Sequence, residues 1–227
     1  MAQLAGSHED QVGHVVVTHN LPGQPLDVPP GGWPFELTEI HNPSPAGFGT
    51  NHNRAFTHCR SALFAVLNPD IELPAGGLWP ALVEAANQPG VGCAYPLLLD
   101  PDGSRQESER ELVTPLALVR RHLFKRPQGR VDWVSGAFWV VPANVWRNLG
   151  GFDERYHMYC EDVDLCLRLQ LAGWSLRRAG ASAVHQAGRA SRRLGPHLAW
   201  HLASLFKLWA SPGFRRFLRH RRQAPAG

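Results

Sequence analysis

The chain has 227 residues, 44% hydrophobic and 19% charged, enough for one α/β domain with a core and a short appendage. Met1 to His14 lacks a charged-then-apolar leader, and no apolar run approaches the roughly 18–20 residues of a membrane span, so the sequence argues against a signal peptide and a spanning helix. A cytoplasmic protein is expected. The net charge of +4 conceals a split: all 19 acidic residues lie at or before Asp164, beside 11 Lys/Arg, whereas the remainder holds 12 Lys/Arg and no carboxylate. That asymmetry suggests an acidic-edged site followed by a basic surface facing something anionic.

In chain order, residues 1–13 are polar and predict a flexible N-terminus. His14 to Asn20, "HVVVTHN", predicts a short buried strand with a polar end. Leu21 to Pro34, rich in Pro and Gly, predicts a loop. Phe35 to Asn42 alternates like a second strand, and "GFGTNHNRAFTHC" runs from a glycine turn into a helix. "SALFAVLNPD" predicts a strand ending at Asn68 and Asp70, with a helix across "GLWPALVEAANQ". "GVGCAYPLLL" is a further strand, "DPDGSRQ" a turn, and "VDWVSGAFWVVP" a strand interrupted by Gly136. Strands alternating with helices predict a mostly parallel sheet flanked by helices, with ligands outside the strands' carboxyl ends. Cys59, Cys93, Cys160 and Cys166 form no CxxC pair and read as reduced thiols.

The tail, Arg189 to Arg222, places Leu198, Leu202, Leu205, Leu208 and Trp209 at helical spacing, and Pro212–Gly213 breaks the helix. Arg215, Arg216, Arg219, Arg221 and Arg222 then cluster beside Phe214, Phe217 and Leu218. Such a segment either docks on the domain with a solvated basic face or lies on a membrane surface. It carries no recognisable nucleic-acid motif. The expected organisation is a flexible 1–13, a domain over 14–193 and a basic helical tail over 194–227.

Three places carry candidate chemistry. Glu161, Asp162 and Asp164 precede a leucine-rich helical run. They suit a helix N-terminus, where carboxylates favour the dipole and free N–H groups. Asp164 and Arg168 are i,i+4 partners. Asp162 lies about 100° from Val163 on the helix and can project toward a cleft. Asn68–Pro69–Asp70 is good turn chemistry and also suits a divalent cation. His185, in "SAVHQAG", is a third candidate.

Taken together, "VVVTHN", "GFGTNHNRAF", "FAVLNPDIEL", "GVGCAYPLLLDPDGSRQESER", "VDWVSGAFWVVP", "GGFDERYHMYCEDVDLCLRLQLAGW" and "AVHQAGRASR" are collinear over roughly residues 14–193. The chain so resembles the family 2 glycosyltransferases, most closely the bacterial rhamnosyltransferase-like branch. The resemblance implies the GT-A nucleotide-diphospho-sugar transferase fold, Rossmann-like, and an inverting, metal-dependent sugar transfer in cell-surface polysaccharide synthesis. By position it places Thr18, Asn20, Gly47, Phe48 and Asn53 at the donor. Asp70 and His185 fall at the donor and its Mg²⁺ or Mn²⁺, and Trp133, Ser135 and Gly136 at the sugar and acceptor pocket. Asp162 matches the catalytic base, with Glu161 beside it. The implied partners are a dTDP- or UDP-linked sugar and a saccharide or polyprenyl-linked acceptor, with peripheral membrane contact at the inner face through the tail. The sequence also departs from the family: only residues 21–46 separate Asn20 from "GFG", without the acidic segment that usually reads the nucleoside. Pro45 and His157 replace an asparagine and an aromatic. The alternative is a catalytically degenerate binding or scaffold protein.

Overall fold

In the computed structural model the described residues are 1–7, 10–21, 23, 26–114, 130–186 and 196–223. After α1 (Ala2–Ser7), strands β1 (His14–His19) and β2 (Glu36–His41) pair in parallel, with His19 opposite His41. Next come α2 (Phe48–Phe56), β3 (Leu63–Leu67), β4 (Ile71–Glu72), α3 (Leu78–Ala86) and β5 (Val91–Leu99). The chain continues through β6 (Glu109–Arg110), β7 (Trp133–Val134), β8 (Phe138–Pro142), α4 (Ala143–Leu149), α5 (Glu161–Leu171) and β9 (Ser175–His185). It closes with α6 (Pro196–Ala210) and α7 (Pro212–Gln223).

The central sheet has the order β3-β8-β5-β9-β4. It is mixed: β5 and β9 run parallel, and the other pairings are antiparallel. The expected mostly parallel sheet assumed a helix between successive strands. Among the described residues no two strands of the central sheet that follow one another in the chain are neighbours, so strand direction is set by longer connections than a single helical crossover. The expected α/β architecture with flanking helices is otherwise what forms.

Period-2 alternation splits the sheet's side chains between two apolar layers. Along β8, Trp139 and Val141 enter one cluster with Phe64, Val66, Cys93 and Tyr95, and Phe138 and Val140 enter the other with Ala94 and Leu98. The first layer is covered by α4 and α5, through Trp146, Leu165 and Leu169, and by Phe152 from the turn between them. The second is covered by α3, through Leu78, Trp79 and Leu82. Because both faces are covered, "FWVVP" reads as an unbroken apolar run.

Two expectations need correction. The opening residues hold a helix, whose Leu4 is buried against Phe35 and Trp79 and whose Ser7 Oγ accepts the Trp79 Nε1–H at 3.4 Å. Leu4, with Met1 and Ala5 packed beside it, docks a segment whose polar character comes from residues 7–11, which is why composition missed it. Within the tail, Leu205 and Leu208 are buried, but Leu198 and Leu202 lie on the exposed side of α6 with Phe206. The tail is docked: Phe214 and Phe217 enter the first core layer, and Arg221 reaches Asp132 Oδ2 at 2.9 Å. Arg189 lies outside the described residues, as does the Arg222 side chain.

Candidate active site

The start of α5 is built by backbone strain and close approach. Tyr159 and Cys160 both hold positive φ, 71° and 68°, a conformation that costs non-glycine residues on the order of 1 kcal/mol or more each. This turn brings Asp162 against the bend between β7 and β8. The Gly136 N–H donates to Asp162 Oδ2 at 3.2 Å, and the Val163 N–H donates to Oδ1 at 2.8 Å. A Cβ on Gly136 would meet Asp162 Cβ at 3.3 Å and Phe48 Cε1 at 3.7 Å, so glycine permits the three elements to converge. The glycine that interrupts the predicted strand is therefore a contact point.

Glu161 is buried, and its Oε2 has no hydrogen-bond partner. Burial, then the neighbouring Asp162 charge, pushes its carboxyl up to about 8. Burial also raises Asp162, opposed by the Val163 and Gly136 N–H groups and by Arg110. Two adjacent carboxyls that cannot both ionise cheaply divide the roles. The proton belongs on Glu161, whose Oε2 has no partner and whose carboxyl is met only by its own N–H, and the charge on Asp162, which has the Gly136 and Val163 N–H groups and a nearby guanidinium. A carboxylate with a raised pKa is also a better base at neutral pH. Asp164 instead pairs with Arg168 at 2.7 Å, as its spacing predicts. Arg168 further donates to the carbonyls of Leu149 and Gly151, fastening the turn before α5.

Asp70 and His185 meet across the β4–β9 edge, with His185 Nε2 3.3 Å from Asp70 Oδ1. Gln106 fixes the ring: its Nε2 donates to Asp100, so its Oε1 accepts from His185 Nδ1 at 2.8 Å. The His185 Nε2 lone pair then faces Asp70 Oδ1, which is buried without a hydrogen-bond partner. Two acceptors facing each other suit a bridging cation, so these residues fit a divalent metal. The two sites flank one segment: Gly136 donates to Asp162, and the next carbonyl, Ala137 O, accepts the Asn68 N–H at 2.9 Å.

The other expected site residues form the surrounding frame. Asn20 ties the end of β1 to the following turn, donating to Ala46 O at 3.0 Å and accepting from Ala46 N and Asn42 Nδ2. Thr18 stands opposite Ile40 in the β1–β2 ladder. A Cβ on Gly47 would lie 2.5 Å from His157 O, which accepts the Phe48 N–H. Asn53 is occupied within the chain, donating to Phe152 O and Glu154 Oε1 and accepting from Phe152 N. Trp133 Nε1 donates to Glu111 O, and the Ser135 N–H donates to Ser108 O.

Sequence reasoning missed Arg110, whose guanidinium lies 5.5 Å from the Trp133 ring centroid. It also missed the ring group beside the strained turn: Tyr159 Oη lies 3.1 Å from His197 Nδ1, and the Tyr159 and His201 rings are 4.9 Å apart. No local spacing marks residues some forty positions apart, although "ESER" lies within a motif that does.

A family model described as "Glycosyl transferase family group 2" matches residues 111–223, the part that carries Trp133, Gly136, the α5 acids and His185. The chain belongs to the family 2 glycosyltransferases. This chain is 34% identical over 161 residues to an N-acetylglucosaminyl-diphospho-decaprenol L-rhamnosyltransferase of Mycobacterium tuberculosis, covering 62% of this chain and 52% of the relative. It is 44% identical over 82 residues to the rhamnosyltransferase WbbL of Escherichia coli, covering 35% of this chain and 31% of the relative. The chain thus spans about half the length of the mycobacterial relative, and less of the other. A crystal structure of GalNAc-T7 with UDP, GalNAc and Mn²⁺ superposes with a TM-score of 0.51, covering 76% of this chain and 38% of that one at 14% identity. That likeness bears on the fold, which is of the GT-A kind.

Proposed function

We propose that this glycosyltransferase moves a sugar from a nucleoside-diphosphate donor to a saccharide or polyprenyl-linked acceptor, with inversion, in the synthesis of a surface polysaccharide. The observation that carries the reading is Asp162, half-buried at the head of α5 and fixed by the Gly136 and Val163 N–H groups beside a buried Glu161 whose Oε2 has no partner. Inversion needs a base on the acceptor side of the anomeric carbon, and Asp162 is the group whose charge the site supports. It takes the proton of the acceptor hydroxyl as that oxygen attacks. Glu161, holding a proton, keeps a second negative charge from forming beside it. Arg110 and the α5 N-terminus favour the ionised form of Asp162.

Asp70 and His185 would hold Mg²⁺ or Mn²⁺, with Gln106 orienting the imidazole. When bound, the cation supplies charge stabilisation for the departing diphosphate, typically several kcal/mol. Gly47, Phe48 and Gly136 set how closely the α2 start, the β7–β8 bend and α5 approach around the substrate. A dTDP- or UDP-linked donor is the nucleotide class we propose. The acceptor side is supported by the mycobacterial relative, whose name gives a lipid diphosphate acceptor. The exposed Arg215, Arg216 and Arg219 of α7 and the apolar side of α6 would meet the anionic surface in which such a lipid sits.

The test is release of nucleoside diphosphate from candidate nucleotide sugars with acceptor and Mn²⁺ or Mg²⁺. Asp162→Asn keeps the shape and an acceptor oxygen for one of the two N–H groups, and should lower kcat at least about 100-fold while leaving donor affinity intact. Unaltered turnover would remove Asp162 from the role.

A further inference from the structure

We infer a second metal site, for a transition-metal cation of the Zn²⁺ class, formed by His19, Glu39 and His41 at the ends of β1 and β2. Alternation along paired strands generates it. In register, Val17 faces Glu39 and His19 faces His41, so all four side chains share one side of the two-stranded ribbon. The result is one imidazole from β1, and one imidazole and one carboxylate from β2. Their ligand atoms all lie within 4.8 Å of one another, and among the described residues no other three His, Cys, Asp or Glu side chains approach so closely. Asp70 and His185 are only two, and belong to another edge.

The geometry is preset in three respects. The His19 and His41 rings stack with centroids 4.5 Å apart and 4° between planes, and a ring nitrogen of each lies within 4.8 Å of the other and of a Glu39 oxygen. His19 Nε2 and Glu39 Oε2 lie 2.7 Å apart and share a proton, which a cation of suitable ligand preference replaces. The hydrogen bond from His19 holds the Glu39 carboxyl below its usual range, so the ligand is already ionised. The Leu26 N–H, from the segment that follows β1, also donates to Glu39 Oε2 at 3.4 Å and steadies it. Closing to a tetrahedral shell, with ligand atoms roughly 3–3.5 Å apart, needs His19 and Glu39 to part slightly from 2.7 Å and the exposed His41 to turn toward them.

Two imidazoles and one carboxylate select Zn²⁺ or its congeners over Mg²⁺, which prefers oxygen alone. Three protein ligands leave a fourth position open to water or an anionic group. The site also has a mechanical consequence. β1 and β2 form their own two-stranded sheet, separate from the central one, and a parallel pair of that size is weak by itself. A cation bridging both strands at their ends staples the ribbon just before Asn20 and Asn42, which hold the turn into α2.

The test uses the full chain, stripped of metal and titrated with Co²⁺ as a visible probe and with Zn²⁺ by calorimetry. One equivalent, retained in Asp70→Asn, should give the intense d–d absorption of four-coordinate Co²⁺ and raise Tm, apart from any binding at Asp70 and His185. Glu39→Gln and His41→Gln, the latter at an exposed position, should each weaken Zn²⁺ at least about tenfold while keeping the metal-free Tm. Asp70→Asn should leave that affinity unchanged. Absence of the Co²⁺ spectrum, or affinity indifferent to both variants, or affinity lost in Asp70→Asn, would overturn the assignment.

Discussion

Glu161 and Asp162 differ by a single position and end with opposite jobs because their donors differ. Asp162 reaches two backbone N–H groups; Glu161 points its Oε2 where there are none. The consequence for stability has a definite sign. Glu161 is raised from 4.5 to about 8, so across that window the unfolded chain has lost a proton that the fold retains. Stability from this group is therefore greatest at the acid end, falls as pH rises through the window, and is level above about 8. Glu161→Gln removes the proton exchange and should be more stable than the parent near pH 8 by on the order of 1–3 kcal/mol, with little difference near pH 5. Urea midpoints at the two pH values measure this; parallel pH dependences would show that Glu161 ionises freely in the fold. In sequence, spacing lets Asp162 project toward a cleft and the family resemblance matches it to the base, but neither shows what holds its charge. The Gly136 N–H, 26 positions from Asp162, joins the local Val163 N–H in separating the two acids.

At the level of elements, α2 and the Gly150–Gly151 turn interlock. A Cβ on Gly49 would lie 2.7 Å from Phe152 Cβ, and one on Gly151 would lie 2.2 Å from Asn53 Oδ1. Asn53 bonds both the N–H and the carbonyl of Phe152, a residue 2% exposed. Asn53→Ala leaves those two backbone groups unpaired and should cost about 1–3 kcal/mol in chemical denaturation. If loop and helix separate as a unit, proteolysis in residues 150–157 should rise as well. A variant as stable as the parent would mean that the bracket is not what holds the turn. The "GFGTNHN" and "GGFDE" motifs are legible in sequence as motifs, and so is the helix that the first begins. That each glycine exists to admit the other segment is a statement about contact, which spacing does not contain.

Across the whole molecule, the charge split resolves partly inside the fold. Arg221 of the basic half reaches Asp132 and Glu111, Arg178 reaches Glu109, and Arg168 reaches Asp164. Arg215, Arg216 and Arg219 remain exposed on α7, and Leu198, Leu202 and Phe206 on α6. No helix among the described residues is long and apolar enough to cross a membrane. The surface reading predicts co-sedimentation with liposomes that increases with anionic lipid and falls with salt. Replacing Arg215, Arg216 and Arg219 by Glu should abolish it, at up to about 1 kcal/mol per charge lost. Binding indifferent to those charges would leave the apolar side of α6 as the contact, and no binding at all would leave both surfaces solvated.

The strands and long helices were readable from periodicity, because burial of one face imposes a repeat that local composition records. The Asp164–Arg168 pair was readable for the same reason, being four residues apart on one helix. The mixed sheet was not, since strand direction depends on connections and neighbours far along the chain. Nor was the docking of the opening turn by Leu4, nor β9, whose pattern is set by its place between β5 and β4 rather than by its own residues. The candidate chemistry divides along the same line. Sequence alone supplied Asp70, Glu161, Asp162 and His185 as groups capable of holding protons or metal. Which carboxyl gains a distant N–H donor, which histidine nitrogen faces an acid, and which three ligands share one side of a ribbon were decided by tertiary structure, because each is a distance between residues the chain keeps far apart.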